Sequence, residues 1–149
     1  MAGVFNPAPL GDLAHVIQLA IAPVFLLTAI ATILNVLAGR LGRAVDRRRV
    51  LAAALLKLEG DIASLAKEEL GYELRRIKLI YIAISMAVLA ALLVAALISL
   101  AFIDPFVQLD FNKLIASLFI LAMVALVASL AILLREIFYA VNSPRAPVV

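Results

Sequence analysis

The fold is decided by residues 79–103, LIYIAISMAVLAALLVAALISLAFI, in which no side chain carries a charge. A helix that crosses the hydrocarbon core of a bilayer needs roughly 20 predominantly apolar residues, and this run is long enough. Residues 13–38 and 114–134 are also long enough and also lack charged side chains. The sequence therefore predicts three transmembrane helices.

The composition is that of an all-α integral membrane protein. Of the 149 residues, 66% are hydrophobic and 15% are charged, whereas soluble domains have about 45 to 50% apolar and about 25% charged residues. The segments outside the three runs are too short to bury a core of their own, so we expect residues 1–149 to form a single membrane domain. Because the chain has no cysteine, disulfides and cysteine metal sites are excluded.

The distribution of charge predicts the orientation. Most of the 13 Lys and Arg residues lie between the first and second runs, and Lys113 alone lies between the second and third. Short loops rich in Lys and Arg stay on the cytoplasmic side. We therefore expect the N-terminus outside and the C-terminus inside. The residues before the first run hold no Lys or Arg, which argues against a removable signal peptide.

Residues 40–78 should form a cytoplasmic helical hairpin. Apolar residues recur there mostly at steps of three and four, which is helical and close to a coiled-coil heptad. Gly60 suits the end of one helix and Asp61 the N-cap of the next, so we place an antiparallel turn near residue 60. The arms, 40–59 and 61–78, would each project roughly 27 to 30 Å. The apolar positions are Leu37, Leu41, Ala44, Leu51, Leu55, Leu58, Ile62 and Leu65.

The remaining boundaries follow from turn signals. No proline or turn cluster separates the first run from its arm, so one helix should continue through both, with a kink at Pro23. Residues 1–11 should be irregular. Asp104-Pro105 should end the second helix and open an outer loop over residues 104–113, and residues 140–149 should be a flexible tail.

A polar stripe follows one face of the first helix over an arc of roughly 80°. The stripe either lines a water-filled path at the axis of a ring of identical subunits, with Asp46 as a ring of carboxylates at the cytoplasmic mouth, or packs against another helix. Asn35 is the leading functional candidate, because an amide in hydrocarbon must face protein or water. The stripe consists of Thr28, Thr32, Asn35, Gly39, Gly42 and Asp46.

The second run carries small residues at every fourth position, a pattern that lets transmembrane helices approach closely. These residues are Ala83, Ala87, Ala91, Ala95 and Ser99. The third run has a looser counterpart in Ala125 and Ser129. We expect both sets to pack helix against helix, within the chain or between subunits.

An arginine cluster directly follows the first run. Arginines at this position fix the topology and attract anionic lipid headgroups, each contributing about 1 kcal/mol near a charged surface. Asp46 lies among them, and residues three apart on a helix can pair, so a local ion pair is expected. The cluster consists of Arg40, Arg43, Arg47, Arg48 and Arg49.

Motifs that carry catalysis are missing from the sequence. The single histidine, His15, has no second ligand or nucleophile to work with, and Asp104 and Asp110 are typical of solvated turns. Glycine-rich phosphate loops, catalytic triads and zinc spacings are absent. We expect no enzyme, no cofactor and no nucleic-acid partner. The expected partners are the lipid bilayer, further copies of the chain and inorganic ions.

Four stretches are similar to motifs of a known family: Ala22-Pro-Val-Phe-Leu-Leu-Thr, Asn35-Val-Leu-Ala-Gly-Arg-Leu-Gly-Arg-Ala-Val-Asp46-Arg, Arg75-Arg-Ile and Leu134-Arg-Glu136. Over residues 13–138 the chain resembles the bacterial membrane family Domain of Unknown Function twenty-seven twenty-one. The resemblance implies a small multi-pass protein of the prokaryotic cytoplasmic (inner) membrane with three spans and a basic cytoplasmic hairpin. It implies no activity and no catalytic residue.

Two functions fit these features. The first is a homo-oligomeric ion channel or pore lined by the polar face of the first helix, because three thin helices need further subunits to enclose a path. The alternative is a non-transporting scaffold or accessory subunit whose cytoplasmic hairpin docks partners. The recognition residues would then be Leu51, Leu55, Leu58, Ile62 and Leu65.

Overall fold

The computed structural model describes residues 8–57, 59–107 and 111–141, with the side chains of 17, 18, 21–57, 59–104 and 111–141. These residues form three α-helices: α1 (Ala8–Ala54), α2 (Gly60–Val107) and α3 (Asn112–Val141). No strand occurs in the part of the chain that the structure describes. All three helices are long and apolar enough to cross a membrane. The prediction of an all-helical chain with three helices long and apolar enough to span a membrane is confirmed.

The first helix is continuous, as the absence of turn signals predicts. It runs from Ala8 to Ala54 through Pro23 without an interruption, although the proline ring removes one backbone hydrogen bond. The helix begins inside the segment 1–11 that was expected to be irregular. Residues 1–7 lie outside the described residues, and the kink at Pro23 stays a prediction.

The chain reverses direction between Ala54 and Gly60. The Lys57 amide donates to the Ala54 carbonyl oxygen at 2.9 Å, and Gly60 has φ of 66°, a left-handed conformation that glycine adopts readily. The turn therefore lies near residue 60, but α1 ends at Ala54 and not at residue 59. Packed helices lie about 8–10 Å apart and a residue spans about 3.8 Å, so one glycine is too short to join them.

Next to this turn, α1 and α2 pack through a small apolar cluster. Leu51 and Ala66 are fully buried, and Leu55 and Leu70 pack against them. The apolar positions predicted for the hairpin do not all pack together. The prediction is wrong on the α2 side, because Ile62 and Leu65 are each 45% exposed. Because the turn is not helical, the regular rotation of side chains around α1 does not continue into α2. A spacing counted along α1 therefore does not predict which residues of α2 are buried. Residue 58, another of the predicted apolar positions, lies outside the described residues.

The main core is centred on α2. This helix packs against both α1 and α3, while α1 and α3 make few direct contacts. The core residues are mostly small on α2 and α3, which brings the helices close together. The outer surface is apolar, with Phe25 71% and Leu92 63% exposed, as expected of helices that face lipid. The buried core comprises Ile30, Leu37, Ala44, Ile80, Ala83, Ala87, Ala90, Val94, Leu97, Ala122, Ala125 and Leu126.

The connection between α2 and α3 is shorter than the predicted loop 104–113. Helix α2 continues to Val107, and α3 begins at Asn112. The Asp104 carboxylate accepts a hydrogen bond of 3.4 Å from the Phe111 amide, so it ties the end of α2 to the start of α3. Residues 108–110 and 142–149, with Asp110 and most of the predicted tail, lie outside the described residues.

Candidate functional site

A buried group of ion pairs joins the three helices near the ends of their apolar runs. Glu136 of α3 is fully buried. Its Oε2 accepts a hydrogen bond of 2.7 Å from Nε of Arg40 on α1 and lies 2.7 Å from Nη2 of the same guanidinium. Its Oε1 accepts bonds of 3.1 and 3.0 Å from Nε and Nη2 of Arg76 on α2. One carboxylate therefore binds a guanidinium from each of the other two helices.

The group continues along α2 toward the turn. Arg76 Nη1 also donates to Glu73 Oε1 at 2.8 Å, and Arg47 Nε donates to Glu69 Oε1 at 2.8 Å. Glu69 and Glu73 are each 3% exposed. Three guanidiniums thus balance three carboxylates. We refer to Arg40, Arg47, Glu69, Glu73, Arg76 and Glu136 as the ion-pair cluster.

The helical period explains why these residues meet. Glu69, Glu73 and Arg76 follow one another at steps of four and three, so they share one face of α2. Arg40 and Arg47 are interleaved with the buried apolar residues of α1 in the same way. The ion-pair cluster is therefore part of the interface between the helices and not of the outer surface.

Breaking the ion-pair cluster should destabilise the packing of the three helices. Removing charges from water is costly, and the cost is recovered only where the partners pair and hydrogen-bond well. Removing one partner of such a buried pair costs about 3–5 kcal/mol. Of the described atoms, Glu73 Oε2 is buried without a hydrogen-bond partner, but it belongs to a carboxylate whose other oxygen is paired.

The polar stripe of α1 lies on the outside of the folded chain. All six of its residues are exposed, whereas the buried residues of α1 face α2. Thr28 Oγ1 donates to the Val24 carbonyl oxygen at 3.4 Å, and Thr32 Oγ1 donates to the Thr28 carbonyl oxygen at 3.0 Å. Both hydroxyls are thus satisfied within α1. The Asn35 amide has no partner among the described residues.

The two glycines of the stripe border open space. A Cβ added at Gly42 would meet nothing within 4 Å, and one at Gly39 would meet only Nη1 of Arg43, at 3.7 Å. Neither glycine is therefore required by close packing within the chain. At the end of the stripe, Asp46 forms the expected local ion pair, with Arg49 at 3.9 Å.

The predicted arginine cluster divides into two groups. Arg40 and Arg47 are bound to Glu136 and Glu69 inside the ion-pair cluster. The other three are exposed, and headgroup binding remains a prediction for them. These three are Arg43, Arg48 and Arg49.

The small-residue stripe of α2 leaves the core partway along the helix. Ala83 and Ala87 are fully buried, Ala91 is half-buried, and Ala95 and Ser99 are exposed. A step of four residues advances about 400°, so the stripe drifts about 40° around the helix at each step. The buried line instead continues through Ala90, Val94 and Leu97.

The third-run residues that were expected to pack do lie in the core. Ala125 is 7% exposed and Ser129 is fully buried. Ser129 Oγ donates to the Ala83 carbonyl oxygen of α2 at 2.8 Å, an interhelical bond of the kind that small polar residues make in membranes.

Near the start of α1, Gln18 is exposed and the His15 side chain lies outside the described residues.

Sequence reasoning missed the carboxylates of the ion-pair cluster. Folding the two arms about residue 60 places residue 73 opposite Arg47, and Glu69 lies about one helical turn from that position. A carboxylate partner for Arg47 could therefore have been sought on this arm. Glu136 gives no such signal, because it lies 96 residues from Arg40 and 60 from Arg76. Across the described residues, no group of three or more His, Cys, Asp or Glu side chains is placed to hold a metal ion.

Comparison with known proteins yields a family and no activity. No curated protein and no solved structure gives a significant match to the chain. A family model matches residues 20–146, a range that reaches into all three helices and includes the four motifs noted in the sequence. This match confirms the resemblance: the chain belongs to the family described as Protein of unknown function (DUF2721).

Proposed function

We propose that the chain is a homo-oligomeric protein of the prokaryotic inner membrane, and that the polar stripe of α1 lines a path for ions between subunits. The orientation in this proposal is N-terminus outside and C-terminus inside, with the arms on either side of residue 60 forming a cytoplasmic hairpin. The role is transport and not catalysis.

The observation that carries the proposal is the exposed amide of Asn35. It lies within the charge-free run of α1, where hydrocarbon would surround a lone subunit, and no partner for it exists among the described residues. An unpaired amide in hydrocarbon costs several kcal/mol. A second copy of α1, or water held between copies, removes that cost.

Self-association through this face is sterically open. The stripe plays no part in binding α2, and the exposed glycines Gly39 and Gly42 allow another helix backbone to approach. A single subunit has its core filled by packed side chains, so the path must run between subunits. The exposed Asp46 at the end of the stripe would favour cations there.

Two measurements on the purified protein test this proposal. The mass of the detergent-solubilised particle should correspond to a ring of four or more subunits, whereas a monomer would contradict the proposal. Ion flux into liposomes should be present, and Asn35→Leu and Asp46→Ala should change its rate or its selectivity. Unchanged flux in both variants would exclude the stripe as the path.

A matched control tests whether the position of the amide around α1 matters, and not only its presence in the chain. The double variant Asn35→Val/Val36→Asn keeps the composition but moves the amide about 100° around α1, onto another exposed position. We expect it to change the rate or the selectivity of ion flux, as Asn35→Leu does. If the double variant behaved like the wild-type protein, the position of the amide around α1 would not matter, and the stripe would not be the path.

The second candidate is a scaffold or accessory subunit, and exposed apolar residues near the turn favour it. Leu56 is 88% exposed, and Ile62 and Leu65 are each 45% exposed. If these residues lie in the cytoplasm, they form a docking surface. Replacing all three with serine should then remove co-purifying partners without loss of membrane insertion, and an unchanged set of partners would rule out docking here.

A further inference from the structure

A second cluster of cations, which no part of the proposed function uses, lies in a groove between α2 and α3. Two adjoining cavities of about 390 and about 240 Å³ share Arg75, Arg135 and Tyr139 as lining residues. Lys78 lines the smaller cavity and Tyr72 the larger. We refer to these five residues as the basic groove.

The cations of the basic groove have no anionic partner in the part of the chain that the structure describes. Arg75, Lys78 and Arg135 are exposed, and none of them pairs with a carboxylate of the described residues. Their sequence neighbours Arg76 and Glu136 are bound to each other in the ion-pair cluster. The groove therefore concentrates three positive charges that the described part of the chain does not neutralise, and this favours an anion from outside.

The position of the groove along the helices indicates where that anion comes from. Lys78 directly precedes the charge-free run of α2, and Arg135 directly follows that of α3. In a membrane-spanning chain this is the depth at which hydrocarbon gives way to headgroups, and tyrosines are enriched there.

The apolar part of the wall distinguishes a lipid from a soluble anion. Leu79 and Ile82 continue the smaller cavity into the charge-free run of α2, and Phe138 lines the larger one. A lipid with its phosphate at the cations would lay an acyl chain along Leu79 and Ile82. Inorganic phosphate would leave that surface bare.

We propose that the basic groove binds the headgroup of an anionic phospholipid from the surrounding bilayer. The guanidiniums of Arg75 and Arg135 donate to the phosphate oxygens, the Lys78 ammonium adds a point charge, and the Tyr72 hydroxyl can hydrogen-bond the rest of the headgroup. This site is separate from the arginines of α1 and requires neither an oligomer nor an ion path.

Because the chain has no tryptophan, Tyr139→Trp places a single fluorescent reporter in the groove. The full-length variant is reconstituted into phosphatidylcholine vesicles that contain brominated phosphatidylglycerol, which quenches the reporter on contact. Each cation near an anionic surface contributes about fivefold in binding, so three give a preference of roughly a hundredfold for the anionic lipid. Tyr81→Trp, an exposed position of α2 outside the groove, should show a preference near one.

Charge variants of the reporter protein identify the residues responsible. Arg75→Gln/Lys78→Gln/Arg135→Gln should bring the preference to about one, and Lys78→Gln alone should lower it about fivefold. The control Lys57→Gln/Lys67→Gln/Lys113→Gln removes the same charge from exposed positions elsewhere and should leave the preference unchanged. Circular dichroism checks that each variant remains helical, and the single variant serves as the test if the triple variant does not.

Three results would overturn the proposal. The first is a preference near one at Tyr139→Trp. The second is an equal loss in the groove variant and the control, which would show a general effect of net charge. The third is reversal of the quenching by inorganic phosphate at millimolar concentration, which would assign the groove to a soluble anion.

Discussion

Arg75 and Arg76 are neighbours in the sequence but meet opposite conditions in the structure. The side chain of Arg76 is 17% exposed and binds both Glu73 and Glu136. Arg75 is exposed in the basic groove, with no carboxylate partner among the described residues. One step along a helix is a rotation of about 100°, which moves a guanidinium from the interior to the surface. Residue type alone therefore does not define the role of a cation at this depth.

The same contrast appears between two uncharged polar residues. Ser129 is buried, and its hydroxyl donates to the Ala83 carbonyl oxygen. Asn35 is exposed, and its amide has no partner in the described part of the chain. Polar groups with partners inside the chain connect the helices to one another. Those without partners are available to another copy, to lipid or to water.

The largest effect on the free energy of unfolding is expected from Glu136→Ala. It leaves the part-buried guanidiniums of Arg40 and Arg76 without their shared, fully buried carboxylate, so the free energy of unfolding should fall by about 3–5 kcal/mol. Unfolding by sodium dodecyl sulfate in mixed micelles measures this loss. Arg135→Ala, next to it in the sequence but exposed, should change the value by less than about 0.5 kcal/mol. Similar losses in both would mean that Glu136 is not a structural partner.

A smaller effect is expected from the Arg47–Glu69 pair. A double-mutant cycle with Arg47→Ala and Glu69→Ala should give a coupling of about 1–3 kcal/mol, because Glu69 is buried and the bond is 2.8 Å long. The same cycle on Asp46 and Arg49, whose exposed side chains lie 3.9 Å apart, should give no measurable coupling. Equal couplings would contradict the distinction between buried and exposed pairs.

Ser129→Ala tests the smallest of the internal contacts. Removing the hydroxyl breaks one interhelical hydrogen bond, and such bonds contribute about 0.6 kcal/mol on average in membrane proteins. Ser99→Ala is the control, because its hydroxyl bonds only to Ala95 of the same helix and is exposed. The unfolding free energy should fall for Ser129→Ala and stay constant for Ser99→Ala.

The helices could be predicted from the sequence because lipid imposes a simple rule. A run of roughly 20 residues without charge must be helical to satisfy its backbone in hydrocarbon, and three such runs gave three helices. The continuity of α1 also followed, since nothing in its sequence stops a helix. The length of the turn did not follow, because it depends on the distance between packed helices.

The site residues were harder to predict, because they depend on how the helices are rotated against one another. Arg40 was assigned to lipid headgroups, but its partner Glu136 lies at the other end of the chain. The basic groove requires Arg75 and Arg135 to face the same side of two different helices, which no spacing within one segment reveals. The polar stripe of α1 was visible because all of its members lie on one helix.

Charged residues that are paired inside the chain stabilise the fold, whereas the cations of the basic groove bind lipid. One titration tests this distinction most directly. The unfolding free energy is measured as phosphatidylglycerol replaces phosphatidylcholine in the micelles, since a ligand that binds the folded state stabilises it. We predict that Glu136→Ala lowers the starting value and keeps the lipid-dependent gain. Arg75→Gln/Lys78→Gln/Arg135→Gln should keep the starting value and lose the gain. If the groove variant loses starting stability, or if Glu136→Ala abolishes the gain, the claim is contradicted.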